Sequence, residues 1–286
     1  MTMQLATKDN HALIRFDSFQ QLITWTESAP DHRSGSMRTD PGFHGGTSSM
    51  KELLQMARDG LPRDGIQALQ LSTETIQDIE RELNYQTFQA GYNVSGCDVD
   101  VARYLSGEPE NMIDYTMAET ARLSRVVTLV VGIGVPGQVS ARKIQEHGHS
   151  LMALSEAIDQ TGLQSEIWVD DVSVNSRGTH NALVNHSGRV AVRIKAPGES
   201  FDPGMFMFAL THAGMLRGLT FNAMHAFPAP WIGQLNIGNG YGWATREFIA
   251  TDDYPDGALY IPPILNNRDA GISVKGTLRE LGLLKD

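Results

Sequence analysis

The chain has 286 residues, 41% of them hydrophobic and 20% charged, which fits one large domain or two small ones around a packed core and excludes wholesale disorder. A single cysteine, Cys97, excludes an internal disulfide and a cysteine-cluster zinc site. No apolar run approaches the ~18 residues of a membrane-spanning helix, and the start MTMQLATKDNHALIRF lacks an apolar leader core, so the expectation is a soluble intracellular protein without a membrane partner.

The net charge is −10, from 23 Lys+Arg and 33 Asp+Glu. That balance argues against indiscriminate nucleic-acid binding. Almost all the acid excess lies in residues 1–120, and residues 121–230 are close to neutral. The middle is therefore free to carry a basic surface. Composition divides the chain into an acidic helical and loop region (1–120), an α/β core (121–230) and a Gly/aromatic arm (231–286).

In chain order, Asp17 is placed to cap a first helix bearing Phe19, Leu22 and Ile23, with Gln20 at the capping-box position. ESAPDHRSGSMRTDPGFHGG reads as a loop. Ser49 to Glu52 is a capping box opening a helix that Gly60 closes. A third helix is expected over about Thr73 to Leu83. DVDVARYLSGEPENMIDY is a short helix or a loop. Arg125 to Val131 is a buried strand. Ser140 caps a long helix with Ile144, His147, Leu151, Leu154 and Ile158 on one side, ended by Gly162. Strands follow at Glu166 to Val174 and Arg189 to Ala196. Asp202-Pro203 opens an apolar helix, and Leu219 to Phe227 is a fourth strand. The order β-α-β-β-α-β predicts an α+β protein with a ferredoxin-like core sheet, N-terminal helices and an extended C-terminal arm, and not an OB-fold. A short helix is expected near Gly276 to Leu284.

Five groups of residues could carry chemistry. Gly132-Ile133-Gly134-Val135-Pro136-Gly137 matches GxGxxG between a strand and a helix, the context of a dinucleotide site. Against it, Pro136 has no N–H, the helix cap lies beyond the third glycine, and Asp170 and Asp171 come later than the usual ribose-binding acid. Ser34-Gly35-Ser36 resembles the serine pair of a von Willebrand A metal loop, but Asp31 follows a polar loop rather than a strand. His147, His149, His212 and His225 lack metal-ligand spacing, so neither a metal nor a cofactor is expected. No serine-elbow or Cys/His pattern marks an enzyme. The strand Arg189 to Lys195 puts Arg189, Arg193 and Lys195 on one face with small Ala191, and Val190, Val192 and Ile194 on the other. Arg122, Arg125, Arg142, Lys143 and Arg177 belong to the same near-neutral section. Trp231, Tyr241 and Trp243 sit in a glycine-rich arm. A positive groove with stacking aromatics suits single-stranded nucleic acid. A solvated strand face and an arm docking on another subunit suit the same residues.

GTSSMKELLQMARDG, DVDVARYLSGEPENMIDY, LMALSEAIDQTGLQSEIWV and VAVRIKAPGESFDPGMFMFALTHAGML together resemble a family of small bacteriophage proteins. It includes the single-stranded-DNA-binding RNA polymerase cofactor of Enquatrovirus-type phages. The resemblance covers about residues 45–227. It implies a non-enzymatic, homo-oligomeric early protein with a fold other than the OB-fold, acting in the cytoplasm of the infected bacterial host. It implies binding of single-stranded DNA and recruitment of the phage RNA polymerase to melted template for middle transcription, with the acidic N-terminal region or another surface on the polymerase. It transfers no DNA-contacting residue by position. The alternatives are a nucleotide-binding enzyme using the Gly132–Gly137 turn and a phage protein that binds only host proteins.

Overall fold

HALIRF alternates buried Ala12, Ile14 and Phe16 with half-buried His11, Leu13 and Arg15, the period of a strand with one face in a core. In the computed structural model, which describes residues 3–79, 89–96, 98–116, 126–175, 186–200, 202–269 and 271–284, this segment is strand β2 (His11–Phe16). It pairs antiparallel with β1 (Gln4–Lys8). The N-terminal region, expected to hold helices joined by loops, therefore begins with a hairpin.

Helix α1 (Phe19–Ser28) follows, capped by Ser18, whose hydroxyl accepts from the Gln21 amide. The cap is one residue later than the expected Asp17; Gln21 Oε1 reaches back to the Asp17 N–H. The segment expected as a loop holds α2 (Ser34–Thr39) and a 3-10 turn at Gly42–His44. Helix α3 (Met50–Asp59) has the expected Ser49 cap, whose hydroxyl accepts from the Glu52 N–H, and the expected Gly60 end, although the Glu52 carboxylate accepts from Ser48 rather than from Ser49. Helix α4 (Pro62–Ile79) starts a full eleven residues before the expected Thr73, and residues 80–83 of that expectation lie outside the described residues. The stretch read as a short helix or a loop holds β4 (Asp98–Val99), the short helix α5 (Val101–Leu105) and most of β5 (Met112–Thr116); with the preceding β3 (Gln89–Asn93) the strands form a small antiparallel sheet, order β3-β5-β4.

Next comes β6 (Val126–Gly132), then α6 (Ala141–Gln160), capped by Ser140 as its sequence requires, then β7 (Gln164–Val174) and β8 (Ser187–Lys195). β6 and β7 are adjacent and parallel with α6 as the crossover; β7 and β8 are antiparallel. Helix α7 (Pro203–Thr211) has the expected Asp202 cap. The expected fourth strand is helical instead: a π-helical turn (Met215–Thr220) runs into α8 (Phe221–Met224). Helix α9 (Ala229–Gln234), β9 (Trp243–Ala244), β10 (Leu259–Ile261) and α10 (Val274–Glu280) complete the chain.

The main sheet has the order β1-β2-β8-β7-β6-β10, with β9 on the end of β7. It is a mixed α+β fold, but not the ferredoxin-like one: β6 and β7 are direct parallel neighbours and the fourth element is a helix. Its strands come from residues 4–16, 126–195, 243–244 and 259–261, drawing on all three compositional regions. One face packs Val190, Val192, Ile167, Val169, Leu129 and Val131 into the large core with α1, α6 and α7. The other carries Val130, Trp168 and Ala191 and is roofed by Tyr254, Phe248 and Tyr260 of the C-terminal arm. Thus the arm, not the N-terminal helices, covers the second face.

Candidate ligand pocket

From β6 the chain passes through α6 to β7 on one side, while β10 occupies the other side, parallel to β6. In open α/β sheets such a reversal leaves a crevice beyond the carboxyl end of the strand, where ligands bind. A cavity of about 330 Å³ lies there, at the lower end of the usual small-molecule range. Ile133 and Val135 from the turn after β6, Val139 and Ile144 around the start of α6, and Leu210 and Leu216 give it apolar walls. Asp64, Gln145, His212 and Arg217 supply the polar groups.

Each polar group is held by a different element. The His212 ring accepts from the Gly214 N–H at Nδ1 (3.1 Å), so its proton sits on Nε2, which donates to Gly45 O at 3.2 Å. Burial lowers its pKa, and the ring is a neutral strut rather than a base. Gly45 has φ +72°, and a Cβ there would lie 2.6 Å from the His212 ring, so only glycine brings this loop close enough. Arg217 Nη1 donates to Phe43 O at 2.9 Å, and its guanidinium carbon lies 4.2 Å from the Phe43 ring centre. Burial lowers the Arg217 pKa, with Asp40 opposing. The Gly42–Gly46 loop thus forms a wall tied to the π-helical turn. Gln145 Nε2 reaches Asp64 Oδ2 at 3.5 Å.

Behind the crevice, Asp171 near the carboxyl end of β7 is buried. Burial pushes its pKa up to about 7, against a hydrogen bond with Thr220. Its neighbour Asp170 faces the arm, with a pKa raised to about 6 by burial, opposed by Arg189. The glycines of the GxGxxG turn answer to the arm rather than to a phosphate. A Cβ on Gly132 would lie 2.5 Å from Pro263, and one on Gly134 3.0 Å from Ala244; only Gly137 borders the pocket. Ser34 and Ser36 are engaged locally: Ser34 Oγ accepts from the Met50 N–H, and Ser36 Oγ meets His44 Nε2.

The expected basic strand face is corrected in two ways. Arg189 is wholly buried: its Nε lies 2.9 Å from Asp170 Oδ1, and its Nη atoms bind Asp253 and the Ile249 and Ala250 carbonyls. Arg193 shares that face, donating to Asp17 O at 2.9 Å beside Glu166 and Trp168. Lys195 does not share it. Opposite the single step Ile167 to Trp168, β8 spends two residues, Lys195 to Arg193, and this bulge turns Lys195 to the helix side. There Lys195 Nζ is buried against Ser165 (2.8 Å to Oγ) and Asp159 (2.9 Å). These three cations are spent on internal carboxylates and carbonyls and do not form an open groove.

The aromatic set divides as well. Trp231 is buried and donates from Nε1 to Ser187 O at 3.0 Å; Tyr241 is buried, stacked on Phe221 and bonded to Arg33 and His225. Trp243 is 45% exposed. Arg142 stands in solvent in the first turn of α6, 3.7 Å from Glu146, and Lys143 is half-exposed beside it. Arg122, Arg125 and Arg177 lie outside the described residues. Arg217 and Asp64 were not among the expected site residues. The signal for Arg217 was present: it is the one charge between Asp202 and Trp231 in a strongly apolar stretch.

The fold is a mixed α+β one with a partly apolar cavity beyond the carboxyl end of β6. The chain belongs to a family described as a domain of unknown function, DUF7192, which matches residues 3–285. No curated protein and no solved structure matches it. Among the described residues no helix is long and apolar enough to cross a membrane.

Proposed function

We propose that this protein is a binding protein for a small organic anion, held in the crevice beyond β6 with its apolar body against Ile133, Val139 and Leu216 and its acid group on Arg217. The observation that carries this reading is the cavity at the sheet's topological switch point with one half-buried guanidinium in an otherwise largely apolar wall. Binding is favoured over chemistry because His212 has both ring nitrogens committed to backbone groups.

A second reading, a single-stranded DNA-binding cofactor of a phage RNA polymerase, keeps one specific support. Arg142 and Lys143 open α6, and Trp243 sits on the end of β7, so these exposed residues lie at the same end of the sheet as the crevice.

One experiment separates the two. Thermal melting is followed with a panel of carboxylates, phosphate esters and nucleotides, and anisotropy with a labelled ~40-nucleotide single strand. A ligand at 100 times its Kd raises stability by about 2.7 kcal/mol, several degrees in Tm. The pocket reading expects such a shift with one anionic class, lost in Arg217→Ala. Salt-dependent single-strand binding lost in Arg142→Glu/Lys143→Glu, with no shift from any small anion, replaces it with the second reading. No response in either arm rejects both.

A further inference from the structure

Helix α5 presents its apolar side outward. Val101, Tyr104 and Leu105 have the i, i+3, i+4 spacing of one helix face, and they are 64%, 63% and 78% exposed. Arg103, on the other side, holds the helix to its own sheet: its guanidinium carbon lies 3.7 Å from the Tyr92 ring centre, Nη1 donates to Glu110 O at 3.1 Å, and Nε lies 3.3 Å from Glu108. The Asp100 cap also accepts from the Tyr92 hydroxyl at 3.2 Å. This is the reverse of the usual arrangement, in which the apolar stripe packs inward and the charge is solvated. In the same unit Val94, just after β3, and Val99 of β4 are exposed too. Contiguous exposed apolar residues rimmed by polar ones mark interaction sites.

Charge selects the occupant. Within residues 89–116 the carboxylates are Asp98, Asp100, Glu108, Glu110 and Asp114, and the one cation is Arg103, which is already engaged inside the unit. A nucleic-acid strand has the wrong sign. A second copy, with a net charge of −10 and the same excess of carboxylates over cations in this unit, is repelled. We infer that the outward face of α5 is a docking surface for a partner protein that offers an apolar helix face bordered by lysine and arginine. Tyr104 is its anchor, as tyrosines are in interface centres, and Leu105 adds apolar area beside it.

The full chain is titrated against a labelled 18-residue amphipathic helical peptide of leucine and lysine, and against its leucine–glutamate counterpart, at 150 mM salt. The docking surface predicts binding of the lysine peptide only, weakened at least ten-fold in Tyr104→Ser/Leu105→Ser, which leaves the charge unchanged. Both side chains are exposed, so the variant should keep its Tm and far-UV spectrum. Should it lose them, Val101→Ser alone, read by the same titration, takes its place. Three results overturn the inference: equal affinity for wild type and variant, no binding of the lysine peptide, or a concentration-dependent dimer in sedimentation that the substitution abolishes, which would make the occupant a second copy.

Discussion

Thr220 has one hydroxyl hydrogen and two oxygen neighbours, Asp171 Oδ2 at 2.6 Å and Leu216 O at 2.7 Å. Two acceptors cannot share that hydrogen at full strength, whereas a protonated Asp171 donates to Thr220 Oγ1 and frees the hydroxyl for Leu216. The pKa near 7 agrees with this proton. A carboxyl whose folded-state pKa stands above its ordinary 3.8 adds stability that is full below about pH 4 and is lost as pH rises to about 7. Asn in its place keeps a donor for Thr220 without a charge to bury. Asp171→Asn should therefore be more stable than wild type at pH 8 by up to about 1.4 kcal/mol for each unit the pKa is raised, and equal or slightly weaker at pH 4. Urea melts at both pH values read the difference, in which titrations remote from Asp171 cancel while that of the adjacent Asp170, coupled to it, does not. An equal difference at both values would mean that Asp171 is ionised throughout. At this scale the sequence was least legible. Alternation placed Arg189 and Arg193 together correctly, but nothing in RVAVRIK announces the bulge that turns Lys195 away, nor the arm that buries Arg189.

Elements with strong local signals were readable. Ser140 and the spacing of Ile144, Leu151, Leu154 and Ile158 define α6, and Asp202-Pro203 defines the start of α7, because caps and apolar period are properties of the segment itself. Leu219 to Phe227 is helical where a strand is expected because its helical state rests on distant contacts. Gly214 and Gly218 let the turn lie against Leu53 of α3; a Cβ on Gly218 would stand 2.2 Å from Leu53 Cδ2, and Leu53 is wholly buried. Gly218→Ala should cost about 1–3 kcal/mol by overpacking. Leu53→Ala alone should cost about 2–5 kcal/mol as a cavity. The double variant should fall well short of the sum, since the new methyl enters the space that Leu53 vacates. Additive losses in denaturant melts would show that the turn and α3 do not meet as described. The same contact positions Arg217, so this close approach also shapes the pocket wall that the sequence did not reveal.

For the whole molecule, the arm decides how the sheet is finished. Arg189 of β8 binds Asp170 of β7 beneath the arm and Asp253, Ile249 and Ala250 within it, while His11 of β2 meets the same Asp253 at 2.9 Å. Tyr254 Oη lies 3.2 Å from Asp170 and its ring packs on Trp168. One guanidinium thus joins two central strands to the segment that roofs them. Removing it strands the Asp170 carboxylate in an apolar layer, and the loss of one member of a buried ion pair costs about 3–5 kcal/mol. Arg189→Ala should lower global stability by that order and also loosen the roof selectively, so that trypsin cuts at Arg246 or Arg268 sooner than at sites in α3 or α6. Arg189→Met/Asp170→Asn, which removes both charges and keeps the volume, should recover most of the global loss but not the tie to Asp253, and should remain more susceptible in the arm than wild type. If the two variants were equally destabilised, the ion pair would not be the source of the loss. If early cleavage fell evenly over the chain, the arm would open only with the whole fold, and the latch would be a feature of the core rather than of a separable roof.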